Sequence, residues 1–168
     1  MRMSTKRLLA LARMQQVHIF AVIAVALVVV LGSTALAQAV GAWKLNLAKS
    51  KYQQGQAPKS TTLVYEAAGA GIKVTVDTAP AAGAPIHYAF TANYDGKDVP
   101  VIGNPNADMA ARTRVNATTT KLVNKKGGKI LSTLTLVVSA DGKMLTITTT
   151  GTDAQGQNID SVAVYDKQ

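Results

Sequence analysis

The 168-residue chain contains no cysteine, one tryptophan and, in Glu66, a single glutamate. Without cysteine there are no disulfides, thiolate metal sites or cysteine nucleophiles, so stability has to come from a packed core. Of two histidines, His18 falls in an apolar N-terminal run, which leaves His87 as the only imidazole beyond it. A zinc site of several histidines is thereby excluded within one chain, and a Ser-His-Asp triad has one base to draw on. A catalytic carboxylate pair would have to use aspartates, most of which sit in turn sequences such as Asp95-Gly96 and Asp141-Gly142. These absences argue against an enzyme, and neither cofactor nor metal is expected. Aromatic residues are 5% of the chain, and none lies between Met109 and Thr150. Nucleic-acid binding, which wants aromatics among its basic residues, is not expected either.

What is present begins with a leader. Arg2, Lys6, Arg7 and Arg13 form a basic segment without acids, and an apolar run from Val17 to Leu31 follows. Gly32 and the small residues Ser33 to Ala39 complete the order of a secretory signal peptide. Ala35-Leu36-Ala37 and Ala37-Gln38-Ala39 both suit signal peptidase, giving cleavage after Ala37 or after Ala39. The apolar run is shorter than the roughly 20 residues of a spanning helix, which favours cleavage over an anchor and leaves no stable membrane span. The expected organisation is a signal peptide over 1–39 and one domain over 40–168, periplasmic or secreted from a bacterium. Removing the leader lowers the net charge from +9 to +5, because it carries four of the 18 Lys and Arg and none of the nine acids.

The remainder alternates apolar and polar residues in short segments separated by turn signals, as an antiparallel β-meander does. Ile72, Val74 and Val76 face one way while Lys73, Thr75 and Asp77 face the other. Tyr88 and Phe90 share a face with Ile86, and Leu145, Ile147 and Thr149 alternate with Thr146, Thr148 and Thr150. Gly127-Gly128 is a tight hairpin signal, and Pro100 argues for an edge position or a bulge. Lys49 to Lys59 reads as a loop with at most one helical turn. The pattern predicts about nine strands. Closure removes exposed edges, so an up-and-down barrel is preferred to an open sandwich.

Several side chains are candidates for a site. Tyr65, Tyr88 and Phe90 form an aromatic face that either lines a cavity or fills a core, filling being preferred. Arg112 and Arg114 share a strand face. Pointing inward, they would offer charge to an acidic ligand; the outward orientation is preferred, because a buried unpaired charge is costly. Lys121, Lys125, Lys126 and Lys129 cluster at one hairpin, either as a solvated, edge-protecting group or as a contact for anionic envelope polymers. His87 is expected to face solvent. Asn104 to Asp108 lacks the glycine and glutamate of a calcium loop, with Met109 and Val115 in their places.

Gly41-Ala42-Trp43-Lys44-Leu45 resembles the Gly-x-Trp opening of the calycin barrels, the lipocalins and fatty-acid-binding proteins. Val162 to Lys167 resembles the closing strand of the fatty-acid-binding branch, and Asp141 to Ile147 its late hairpin. Tyr94 to Pro105 is similar to a stretch in exported proteins of soil bacteria. The calycin resemblance implies that Trp43 plugs one barrel end and that Tyr165 faces the interior. In the fatty-acid-binding branch an arginine two residues before the terminal tyrosine holds the ligand carboxylate; Ala163 stands there, which implies weak discrimination between an acid and its ester. That branch's helical lid has no counterpart in Lys49 to Lys59. The reading is an exported monomeric all-β barrel that binds a small apolar or amphipathic ligand without catalysis, through Trp43, Tyr65, Tyr88, Phe90, Arg112, Arg114 and Tyr165. The alternative is an envelope interaction module that uses the lysine hairpin to contact anionic polymers or a protein partner.

Overall fold

A computed structural model describes residues 39–53, 57–153 and 155–168. The leader expected over 1–39 lies outside them, apart from Ala39. Among the described residues no helix is long and apolar enough to cross a membrane.

Ten strands follow one another: β1 Gly41–Leu45, β2 Ser60–Ala68, β3 Gly71–Ala79, β4 Ile86–Ala92, β5 Asp95–Pro100, β6 Met109–Arg114, β7 Thr119–Lys126, β8 Lys129–Val138, β9 Met144–Thr152 and β10 Asn158–Lys167. They form one antiparallel sheet in the order β4-β3-β2-β1-β10-β9-β8-β7-β6-β5. The meander is therefore sequential except where β1 joins β10, pairing Trp43 with Lys167 and Leu45 with Tyr165. The expected all-β meander is what forms, with one strand more than expected. Asp95-Gly96-Lys97 is a turn signal in sequence, yet it belongs to β5, whose register against β6 shifts between Asp95 and Asp98. A bulge of this kind absorbs an extra residue without ending the strand.

The sheet curls until its two ends meet. Beyond β5, Ile102 forms a single bridge to Ala89 of β4, with N–H to O=C distances of 3.0 Å in both directions. The barrel is thus nearly closed, and Pro100 sits on an end strand, where its missing N–H leaves no central ladder short of a donor. Gly103 follows the bridge at φ 90°, and a Cβ there would lie 2.4 Å from the His87 carbonyl oxygen. Only glycine tolerates both that backbone and that approach.

Period-two alternation sends one face of every strand inward. Leu63, Tyr65, Ile72, Val74, Val76, Phe90, Leu122, Leu136, Leu145, Ile147 and Tyr165 make the core. Trp43 closes one end at 0% exposure; its indole N–H donates to the Ala39 carbonyl at 2.9 Å, and the Lys167 ammonium lies 5.2 Å from the ring centroid. After β1 the chain makes one 3-10 turn, Leu47–Lys49, capped by the Asn46 side chain. It then runs beside β10, where Lys51 bridges Val162. This strap sets Tyr52 at the opposite, open end.

Replacing Gly103 with alanine is expected to destabilise the fold by about 2–4 kcal/mol in urea unfolding, through strain and loss of the bridge. Gly156→Ala, also at positive φ but with nothing within 4 Å, is expected to cost about 1–2 kcal/mol. Equal losses would show that the bridge contributes nothing.

Candidate functional site

The interior is not completely filled. A cavity of about 380 Å³ lies between the two sides of the barrel, lined by Leu63, Tyr65, Val74, Val76, Tyr88 and Phe90 on one side. Leu122, Leu134, Leu136, Ile147, Ala163 and Tyr165 line the other. The register explains the grouping: Val74 pairs with Phe90 and Val76 with Tyr88, so four inward side chains of β3 and β4 form one patch. Space remains because β10 presents Ala163 and Ser161 where bulkier residues would fill it. Toward the open end the wall becomes hydroxylic, through Thr61, Thr78, Thr149 and Ser161. A second space of about 420 Å³ shares Tyr52, Pro80, Ala81, Ile159 and Ser161 with the first, forming a vestibule edged by Asp153 and Gln157.

Four tyrosines, Tyr52, Tyr65, Tyr88 and Tyr165, present phenols to this cavity. Among the described residues none of these hydroxyls has a protein hydrogen-bond partner. Burial pushes the Tyr88 phenol well above its ordinary value, and the neighbouring Tyr65 adds to the shift. Burial likewise raises Tyr165, reinforced by Tyr52, Tyr88 and Tyr65. Tyr52 is raised by burial alone. Tyr52, Tyr88 and Tyr165 therefore remain neutral donors at physiological pH, suited to an acceptor on a guest.

The expected site residues separate into three groups. Tyr65, Tyr88, Phe90 and Tyr165 line the cavity, so the aromatic face is a lining as well as part of the core. Trp43 does not line it and serves as the plug. Arg112 points inward, contrary to the preferred outward orientation, and is 2% exposed. Its guanidinium carbon lies 5.2 Å from the Tyr65 ring centroid and 5.5 Å from that of Tyr94, and its Nη2 donates to Thr120 Oγ1 at 3.1 Å. Two aromatic faces make this placement tolerable by replacing part of the lost hydration. Arg114 is half-buried, 4.8 Å from the Tyr94 centroid, and away from the cavity wall.

The lysine hairpin is on the outside. Lys121, Lys126 and Lys129 are exposed, while Lys125 is held by Asp98 at 2.7 Å. His87 is also exposed and contacts Asp77 at 2.6 Å. Among the described residues no cluster of three or more His, Cys, Asp or Glu is placed to hold a metal. Sequence reasoning missed Tyr52, Leu122 and the hydroxyl rim. A lone tyrosine in a polar loop was the available signal for the first, and inward parity at the strand ends for Thr61, Thr78 and Ser161.

No family model matches the chain, and no curated protein matches it. Among solved structures it is similar to a redesigned β-barrel, mFAP1, determined bound to DFHBI. The identity is 12%, covering 80% of this chain and 100% of that one, with a TM-score of 0.44.

The raised phenols imply a pH dependence. In the unfolded chain tyrosine ionises near pH 10, whereas Tyr88 and Tyr165 resist ionisation when folded. Their contribution to stability is complete below pH 10 and declines as pH rises above it. Absorbance at 295 nm at pH 11 should show less phenolate in the native protein than in urea, with the missing signal appearing on alkaline unfolding. Full ionisation of a still-folded barrel would contradict the burial.

Proposed function

We propose that this chain is an exported barrel that binds one small amphipathic molecule in its interior and releases it unchanged, in the periplasm or outside a bacterial cell. The observation that carries the reading is the cavity of about 380 Å³, apolar in its depth and hydroxylic toward its opening. That volume lies at the lower end of the roughly 300–1,000 Å³ range of small-molecule sites, which suits a compact guest better than a long acyl chain. Aromatic rings supply flat contact area, and four unpaired phenols fix orientation by donating to acceptors on the guest. Among the described residues the wall is aliphatic, aromatic and hydroxylic, which suits holding a guest by contact area and neutral hydrogen bonds.

Nile red, a neutral dye whose emission shifts to the blue in apolar surroundings, is expected to bind the purified domain in a one-to-one ratio. Ala163→Trp, which puts an indole into the cavity from β10, should reduce that uptake at least tenfold while the far-ultraviolet spectrum stays β-rich. Absence of uptake by the wild-type barrel, or uptake indifferent to Ala163→Trp, would defeat the reading.

Export also acquires a preferred frame. Ala39 is buried and its carbonyl accepts the Trp43 indole N–H. Cleavage after Ala39 would remove that acceptor and leave a buried donor unpaired, at a cost of about 1–3 kcal/mol. Cleavage after Ala37 preserves it. The intact mass of protein recovered from the cell envelope or medium is therefore expected to correspond to a chain starting at Gln38; a start at Val40, or an intact leader, would overturn this.

A further inference from the structure

We infer that the barrel selects an organic acid over its neutral isostere, and that the source of the selection is the buried guanidinium of Arg112. The inference rests on the cavity reading above and names the class of guest. Arg112 is 2% exposed, and Nε and Nη1 are buried without a hydrogen-bond partner; only Nη2 is satisfied, by Thr120. Among the described residues no carboxylate pairs with it, since the five ion pairs present lie elsewhere on the barrel. Asp108, which has a buried oxygen of its own, is engaged through its other oxygen with the Gly127 N–H at the hairpin end. The charge that shares the Tyr94 ring with Arg112 has the same sign: Arg114 stands 4.8 Å from its centroid.

A lone cation inside a low-dielectric shell sets a positive potential through the space around it. The cavity lies within that field. Tyr65 is shared between them, one ring face toward the guanidinium and its side chain in the cavity wall, and Leu122, which pairs with Arg112 in register, lines the cavity as well. An anionic guest needs no direct contact with Arg112 to gain from this, because attraction across one side chain of apolar packing is only weakly screened. Neutral phenols add donors and no competing negative charge. The aromatic lining and the modest volume point to an acid with a compact, flat body. The position is also distinct from the one the closing-strand resemblance suggested, where Ala163 implied little preference between acid and ester.

The test compares 2-naphthoate with 2-naphthamide, a pair of nearly equal shape, as displacers of Nile red at neutral pH. The acid is expected to displace the dye at a concentration lower by a factor of about ten or more, a preference that moderate Coulomb attraction at partial burial supplies. Arg112→Met, which keeps the length and removes the charge, should retain dye uptake and bring the two displacers to parity, while Arg112→Lys keeps part of the difference. Equal displacement by acid and amide in the wild type would overturn the inference and leave the cavity reading intact. Failure of dye and both naphthyl compounds to bind would overturn both. If Arg112→Met does not fold, the wild-type comparison still decides, supplemented by Arg112→Lys.

Discussion

The pairing of β1 with β10 is the contact on which the remaining architecture depends. Every other ladder joins neighbours in sequence and would form in an open sheet. Only this one brings the two ends of the described chain together, and with them the plug: Trp43 lies opposite Lys167 in the ladder and is covered by its ammonium. Its neighbour Leu45 lies opposite Tyr165, so the same short ladder that seals one end also fixes a cavity-lining phenol. The strap from Asn46 to Lys51 extends this association, as Asn46 and Lys49 both bond Asp166, holding its carboxyl below the ordinary range. One non-local pairing thereby positions the plug, a cavity wall and the mouth residue Tyr52.

Much of the fold was legible because a period of two leaves little freedom. Ile72, Val74 and Val76 had to share a face, and a face of that composition had to be inward. Gly127 and Gly128 adopt φ of 55° and 78°, the left-handed pair that a primed hairpin turn requires. The orientation of Arg112 was harder for a physical reason. β6 reads Met109-Ala110-Ala111-Arg112-Thr113-Arg114, with alanine on both faces, and its own pattern does not distinguish in from out. The decision belongs to β7, where Leu122 faces inward opposite Arg112 and carries it along. Reading strands singly hides such a residue, whereas register across a hairpin exposes it. The start of β5 was misplaced for a related reason: Asp95-Gly96-Lys97 reads as a turn ahead of Val99, yet it belongs to the strand, since Asp-Gly has the same composition in a bulge as in a turn.

The cavity was less legible than the fold because it is a property of what is missing. Tyrosines and leucines in the wall look alike whether they touch each other or surround a space. The space arises where Ala163 and Ser161 face inward on β10, and small residues at two positions leave no periodic mark. The separation of charge is also not a local feature. Glu66, Asp95, Asp98 and Asp166 pair with lysines on the outside, while one arginine is carried to the inside by register. Composition reports a modest positive balance; it does not report that part of the balance lies where water is scarce.

Nine of the ten flanks around the barrel are laddered, and the tenth, between Ala89 and Ile102, has a single bridge. Such a ring has one soft line along its length and is stiff everywhere else. Changes in girth are concentrated there, beside Phe90, whose ring belongs to the cavity wall and whose backbone adjoins Ala89. Widening at that line would leave the ladder that joins the chain ends undisturbed.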